Sequence, residues 1–213
     1  EPNARQLAAI AGLSADLFVV CDYGQILKPE TLALAPLGGI NLHGSLLPKY
    51  RGAAPINWAI IRGERETGVT TMLMDEGMDT GPILLQERLP IESDDTTESL
   101  GERMQAIGAK LLVRTIVELK AGRVKPKAQD SSQATMAPIL KKEDGLIRWD
   151  QSAEAIVNRV RGLVPWPEPS PPEHRVEKEG ANDRAQAHSP AVVGEARLEI
   201  GHGHLRPVTT LPL

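Results

Sequence analysis

Cysteine and aromatic residues are scarce in this chain of 213 residues. A single cysteine, Cys21, excludes an internal disulfide and is typical of a reducing compartment, so we predict a cytoplasmic protein. Cys21 ends an apolar, strand-like run, which predicts buried packing rather than a nucleophile. All six aromatic residues lie at or before Trp166. Because barrels and sandwiches draw on aromatics for their cores, the tail is a poor candidate for a complete β-domain.

Long apolar runs and a strong charge of one sign are also missing. The longest runs are far too short to span a bilayer, and no basic leader precedes an apolar stretch, so we expect no membrane partner and no export signal. The net charge of −4 neither supports nor excludes a nucleic-acid partner. The chain opens at Glu1 directly in a helical pattern, which suggests a fragment.

The order of short apolar runs and turn residues predicts an α/β fold. Ala15–Val20 and Gly39–His43 read as strands on either side of a helix near Glu30–Leu34, which indicates a parallel βαβ unit. Two further strands, Val69–Met74 and Ile83–Leu89, are joined by a polar, glycine-rich loop. The remaining predicted helices are 53–62, 152–161 and a long one capped by Asp95 with Glu98, ended by Gly122 and lined by Leu100, Met104, Ile107, Leu111 and Leu112.

The tail differs in composition from the rest of the chain. Prolines alternate with polar residues after Val164, and residues 173–190 are charged without apolar periodicity, so 167–190 is predicted to be an extended linker. Val192–Ile200 and Leu205–Leu213 are candidate strands. We therefore predict a partial Rossmann-like domain over 1–124, a connection with a helix over 125–166, and a linker with an incomplete, β-rich C-terminal segment over 167–213.

Asn41 and His43 are the first candidate site residues. They stand two apart on a predicted strand, so both point to one face, and Leu42 points to the other. Ligands of open α/β sheets bind at the carboxyl ends of strands, where an amide and an imidazole could stabilise a developing oxyanion or move a proton. Taken alone, the pair also fits a strand that simply ends in polar residues.

Asp79 is the second candidate. Gly77 and Gly81 flank it, so the backbone can place its carboxylate in an unusual conformation. A carboxylate beside His43 would favour the charged imidazole and fix its orientation. Taken alone, this loop also fits a hairpin turn with a solvated carboxylate.

The two stretches together resemble one family. NLHGSLLPKYRGAAPIN, then ETGVT and DEGMDTGPIL in this order and spacing, resemble formyltransferases that use 10-formyltetrahydrofolate as formyl donor. LKKEDGLIRWDQSAEAIVNRVRGLVPWP resembles the join to the C-terminal domain in the branch that acts on methionyl-tRNA. The likeness covers roughly residues 1–167.

The resemblance implies roles for particular residues. Asn41, His43 and Asp79 would form the catalytic trio, and no metal is required. The donor would contact one segment of Ser45, Leu46, Leu47 and Pro48 and a loop that includes Tyr23, Gly24, Gln25, Ile26 and Leu27. The implied reaction passes the formyl group to the α-amine of initiator methionyl-tRNA, and the implied protein is monomeric.

Parts of the family pattern are absent. The glycine-bearing first strand and the basic loop that touches tRNA do not occur, and the residues after Pro167 stay polar where relatives continue into a small barrel. Relatives that act on amino-sugar nucleotides share NLHGSLLPKYRG, so such an enzyme or a formyltetrahydrofolate hydrolase stays open. Glycinamide ribonucleotide formyltransferases usually have proline where this chain has Gly44. An inactive, partial folate-binding protein is the alternative outside enzymes.

Two further groups of residues are candidate sites. His202 and His204 could share a metal, but no third ligand is evident, so a turn is favoured. Lys141 and Lys142 read as a solvated face, with a contact to RNA phosphate as the alternative.

Overall fold

A mixed four-stranded sheet with helices packed on it forms the described part of the chain. The computed structural model describes residues 4–24 and 27–171. Its elements in chain order are α1 (Ala4–Gly12), β1 (Phe18–Cys21), α2 (Pro29–Leu32), β2 (Gly39–His43), α3 (Pro55–Ile61), β3 (Glu66–Leu73), β4 (Ile83–Pro90), α4 (Thr97–Lys120) and α5 (Ala153–Leu163), with 3₁₀ turns at Ser131–Gln133 and Lys142–Gly145.

The strand order is β1-β2-β3-β4. β1 and β2 are parallel and α2 lies between them in the chain, which confirms the predicted βαβ unit and the α/β class. β3 runs antiparallel to both of its neighbours, with His43 opposite Thr70. The carboxyl end of β2 therefore lies beside the middle of β3, in the most protected part of the sheet.

One apolar core lies between the sheet and α4. Leu100, Met104 and Leu111 are buried against Ile60 and Val69, and Ile107 packs beside them. This confirms the predicted helix face except for Leu112, which is half-buried and not part of the cluster. Burial of a side chain of this size contributes about 1.5–3 kcal/mol. Leu42 packs against the same cluster, so the face of β2 opposite Asn41 and His43 is anchored in the core.

The start of α4 differs from the prediction. The N-cap is Thr96, whose side chain and that of Ser99 form a reciprocal capping box. Asp95 instead accepts hydrogen bonds from the Glu92 amide (2.8 Å) and the Ser99 hydroxyl (2.9 Å). The expectation of an Asp95–Glu98 box was wrong because the helix begins one residue later, where the Thr96 hydroxyl accepts from the Ser99 amide.

The prediction that Cys21 is buried was wrong. β1 is an edge strand of the described sheet, and its side chains alternate between half-buried and exposed, with Val19 and Cys21 outward. Partial burial, and then the charge of Asp22, raise the pKa of the Cys21 thiol. The raised pKa agrees with the expectation that this thiol is not a nucleophile.

The chain beyond α4 stays attached to the body of the fold. Lys127 and Ile83 exchange two backbone hydrogen bonds of 2.8 Å. α5 packs on α3, and the fully buried Leu163 contacts Ala54 and Leu140. Ser170 forms an isolated bridge to Leu146. Residues 172–213, with most of the predicted linker and both candidate tail strands, lie outside the described residues.

Within residues 4–24 and 27–171, no helix combines the length and the apolar character needed to cross a membrane.

Candidate active site

Asn41, His43 and Asp79 meet at the end of β2. The Asn41 Nδ2 donates a hydrogen bond of 3.2 Å to Asp79 Oδ1, and His43 Nδ1 lies 3.6 Å from Asp79 Oδ2. The backbone amide of Gly52 donates to the same Oδ2 at 2.8 Å. The Asp79 carboxylate therefore lies beside both the Asn41 amide and the His43 imidazole, which strand alternation places on one face of β2.

The hydrogen bonds of His43 identify which ring nitrogen faces the site. Its Nε2 lies 2.8 Å from the carbonyl oxygen of Tyr50, in a side chain that is only 6% exposed. A carbonyl can only accept, so Nε2 carries a proton. Nδ1, next to Asp79, is the nitrogen that remains to donate or accept a proton in a reaction.

The loop that carries Asp79 has a strained backbone. Asp79 has a φ of +54°, in the left-handed region, where a residue other than glycine costs about 1 kcal/mol or more. Glycine is also needed two residues later, because a Cβ at Gly81 would lie 1.7 Å from the carbonyl oxygen of Leu73. The glycines were therefore a correct sign of an unusual backbone around this carboxylate.

Residues 129–137, which follow α4, support the site from behind. Arg51 N donates to Thr135 O (2.8 Å), and Ala137 N donates to Arg51 O (2.7 Å). Gln129 Nε2 donates to the carbonyl oxygens of Asp79 (2.8 Å) and Gly81 (2.7 Å). Sequence reasoning missed Gln129 and the Gly52 amide. The stretch containing Gly52 was part of the resemblance, but Gln129 stood in a segment with no recognised motif.

A cavity of about 540 Å³ opens at the trio. Asn41, His43 and Asp79 line it, together with three of the residues expected to contact the donor, Tyr23, Gly24 and Leu27. Gln25 and Ile26 lie outside the described residues. Other lining residues come from α3, α4 and the loop before β4, among them Ile56, Asn57, Met78, Met104 and Gln105.

The segment from Ser45 to Pro48 lies elsewhere. Ser45 and Leu47 are buried, and their bonds are internal: Ser45 Oγ donates to Lys49 O (2.6 Å), and Leu47 N donates to Thr70 Oγ1 (3.2 Å). Leu46, Leu47 and Pro48 line a second cavity of about 350 Å³ with residues of β3 and β4. The structure thus brings the loop residues to the trio but not this segment.

Tyr50 supplies the carbonyl that holds His43, and its own phenol is part of a charged cluster. The phenol donates to Glu64 Oε1 at 2.8 Å, and the Arg62 guanidinium stacks 5.2 Å from the ring centroid. Burial, and then the hydrogen bond to Glu64 and its charge, raise the pKa of Tyr50 to about 12 from its ordinary 10.0.

This shift predicts a loss of stability at alkaline pH. Between pH 10 and about 12 the unfolded chain loses the Tyr50 proton and the folded chain keeps it, so the free energy of unfolding should fall as the pH rises. A Tyr23→Phe background leaves Tyr50 as the only tyrosine, and its ionisation can be followed by ultraviolet absorbance. Glu64→Gln should move that ionisation toward pH 10. A phenol that already titrates at pH 10 in the folded protein would contradict the assignment.

Nowhere among the described residues do three or more His, Cys, Asp or Glu side chains gather closely enough to hold a metal ion. The pair His202 and His204 lies outside those residues.

The chain is similar to known proteins over most of its described length. A family profile described as "Formyl transferase" matches residues 2–116, and one described as "Formyl transferase, C-terminal domain" matches residues 139–170. The chain belongs to the formyl transferase family, as the resemblance of its motifs implied.

Two curated relatives and one solved structure are similar to this chain. The chain is 54% identical over 160 residues to a methionyl-tRNA formyltransferase of Anaeromyxobacter sp. (strain K), covering 75% of this chain and 51% of the relative. It is 57% identical over 159 residues to the methionyl-tRNA formyltransferase of Synechococcus sp. (strain JA-3-3Ab), covering 75% of this chain and 49% of the relative. One similar solved structure is an N-formyltransferase from Helicobacter canadensis with folinic acid and dTDP-3-aminofucose. It is 26% identical to this chain with a TM-score of 0.58, and the match covers 65% of this chain and 51% of the other. The chain thus spans about half the length of these curated relatives.

Proposed function

We propose that this chain carries the reaction centre of a methionyl-tRNA formyltransferase, which moves a formyl group from 10-formyltetrahydrofolate to the α-amine of initiator methionyl-tRNA. The observation that carries the proposal is the single carboxylate of Asp79, which contacts the Asn41 amide and approaches the His43 imidazole at the wall of a cavity. The identity of 54% and 57% to two methionyl-tRNA formyltransferases supports this acceptor.

In the proposed reaction the acceptor amine attacks the formyl carbon and negative charge develops on the formyl oxygen. Asn41 uses one amide proton on Asp79 and has a second one to donate to this oxygen. Charged His43 would donate through Nδ1, since Nε2 is engaged with Tyr50. Preorganised donors of this kind are each worth roughly 3 kcal/mol.

Proton transfer completes the proposed reaction. The bond between the formyl carbon and the folate nitrogen breaks as the new amide bond forms. The amine loses one proton, which Asp79 can accept through a water molecule, and the departing folate nitrogen gains one. Asp79 would therefore have two roles: it orients His43 before the attack, and it accepts a proton from the amine during the attack.

The remaining assignments belong to the same proposal. The loop residues Tyr23, Gly24 and Leu27 would contact the folate donor from the cavity wall, and a folate compound bound to the Helicobacter canadensis protein supports a donor of this class. Ser45 to Pro48 would act only indirectly, through the hydrogen bonds of Ser45 to Lys49 and of Leu47 to Thr70 in β3. Residues 1–124 would be the catalytic domain, 125–166 the connection and 167–213 the linker and partial C-terminal domain, in a monomeric cytoplasmic protein.

An amino-sugar nucleotide is the second candidate acceptor, because the Helicobacter canadensis structure contains one. The test uses protein expressed from the complete reading frame, with a radiolabelled formyl donor and either methionyl-tRNA or a dTDP-amino sugar. We expect transfer to methionyl-tRNA to be faster by at least about 100-fold in kcat/KM, a difference of about 2.7 kcal/mol in transition-state binding. Release of labelled formate without either acceptor would support a hydrolase. Equal transfer to both acceptors would contradict the proposal.

A further inference from the structure

Gln129 makes four hydrogen bonds between a buried arginine and the loop that carries Asp79. Its amide nitrogen donates to Asp79 O at 2.8 Å and to Gly81 O at 2.7 Å. Its amide oxygen accepts from Arg51 Nε at 3.1 Å and Nη2 at 2.7 Å. Both amide protons and both lone-pair directions of the oxygen are therefore used, which allows one orientation of this side chain.

The two carbonyls that Gln129 holds belong to constrained residues of the loop, Asp79 and Gly81. The direction of the Asp79 carbonyl depends on the backbone torsions of a residue in the left-handed region, with φ of +54°. Such a conformation persists only where its surroundings fix it. Gly81 lies so close to the backbone of Leu73 that its position is also restricted. Its carbonyl is the second group that Gln129 holds. Together the two bonds restrain the backbone on which the Asp79 carboxylate is mounted.

Arg51 in turn fixes Gln129. Its side chain is buried, with 7% exposure, and it presents two donors to one oxygen. Hydrogen bonds with a charged partner are stronger than neutral ones, and they polarise the amide that donates to the loop. The Arg51 backbone is held by Thr135 and Ala137, and the next residue, Gly52, donates to the Asp79 carboxylate.

We infer that Gln129 is a positioning residue for formyl transfer, and that the pair Arg51–Gln129 holds the Asp79 carboxylate at the distance from His43 that the reaction requires. This inference rests on the function proposed above. Gln129 does not line the cavity, so it acts through Asp79 and not on the substrates.

The test compares Gln129→Glu with Gln129→Met in protein expressed from the complete reading frame. Glu keeps the size of the side chain and can pair with Arg51, but an ionised carboxylate cannot donate to the carbonyls of Asp79 and Gly81. Met removes all four hydrogen bonds. Gln151→Glu, at an exposed turn position before α5, introduces the same charge away from the site and serves as the control.

For Gln129→Glu we expect kcat to fall by about 10-fold or more, with KM changed less than about threefold and the thermal unfolding midpoint within a few degrees of wild type. Gln129→Met should lose at least as much kcat, and the control should match wild type in all three measurements.

The outcomes separate the inference from the function on which it rests. An inactive wild type contradicts the proposed function. An active wild type with near-normal kcat for Gln129→Glu overturns the positioning role. Loss of activity in either variant that only follows its unfolded fraction, measured by circular dichroism, shows a structural role and also overturns the inference.

Discussion

His43→Ala should lower formyl transfer by about 100-fold or more, with a smaller effect on substrate binding. In the proposed reaction the imidazole acts on charge that appears only in the transition state, so its removal should reduce kcat more than it raises KM. Asp79→Ala should have an effect of similar size, because Asp79 orients His43 from 3.6 Å. Single-turnover transfer from labelled donor to methionyl-tRNA measures both variants.

The double variant sharpens this prediction. If His43 depends on Asp79 for its orientation, the loss in the variant with both residues replaced should be smaller than the product of the two single losses. The double variant should still be less active than His43→Ala, because Asp79 also accepts the proton of the amine in the proposed reaction. Asp94→Ala changes an exposed carboxylate and should leave the rate unchanged. Near-normal transfer by His43→Ala, or losses that multiply in the double variant, would contradict the proposed cooperation.

Gly81→Ala should reduce the free energy of unfolding by more than about 2 kcal/mol and abolish most activity. The added Cβ would lie 1.7 Å from the carbonyl oxygen of Leu73, so the loop must move, and backbone shifts of this kind typically cost 1–3 kcal/mol or more. Movement also disturbs the carbonyl that Gln129 holds. Urea unfolding measures the loss.

Gly101→Ala is the matched control for stability. Gly101 lies inside α4, and the nearest atom to an added Cβ is Ile56 Cδ1 at 4.0 Å. Alanine has the higher helix propensity, so this variant should gain up to about 1 kcal/mol. If Gly81→Ala were as stable as this control, the close contact with Leu73 would not restrict the loop.

Predictions from the sequence were most accurate where turn residues and the alternation of side chains indicated the same structure. β2 was predicted over its observed bounds, because a glycine pair starts it and polar residues end it. Alternation placed Asn41 and His43 together, and loop glycines marked Asp79. Cys21 was misjudged because a continuous apolar run looks alike on a central strand and on an edge strand.

The support of the site was beyond sequence reasoning. Gln129 is 50 positions from Asp79, and the two residues meet only because the chain after α4 returns to the loop that follows β2. The Tyr50 carbonyl and the Gly52 amide are backbone groups. Every residue has a backbone carbonyl and every residue except proline has a backbone N–H, so the type of residue does not predict these contacts. Tertiary packing alone selects which of them meets a side chain.

The return of residues 129–137 to the loop after β2 sets a limit on how relatives can be recombined. A chimera joined directly after α4 would combine the loop of one parent with the supporting segment of another, although the sheet and its core would be intact. A junction beyond Ala137 keeps the Arg51, Ala54 and Ala137 backbone pairings within one parent. In terms of inheritance, the smallest unit that carries the proposed reaction centre extends past Asp79, the last of the proposed catalytic side chains, to Ala137.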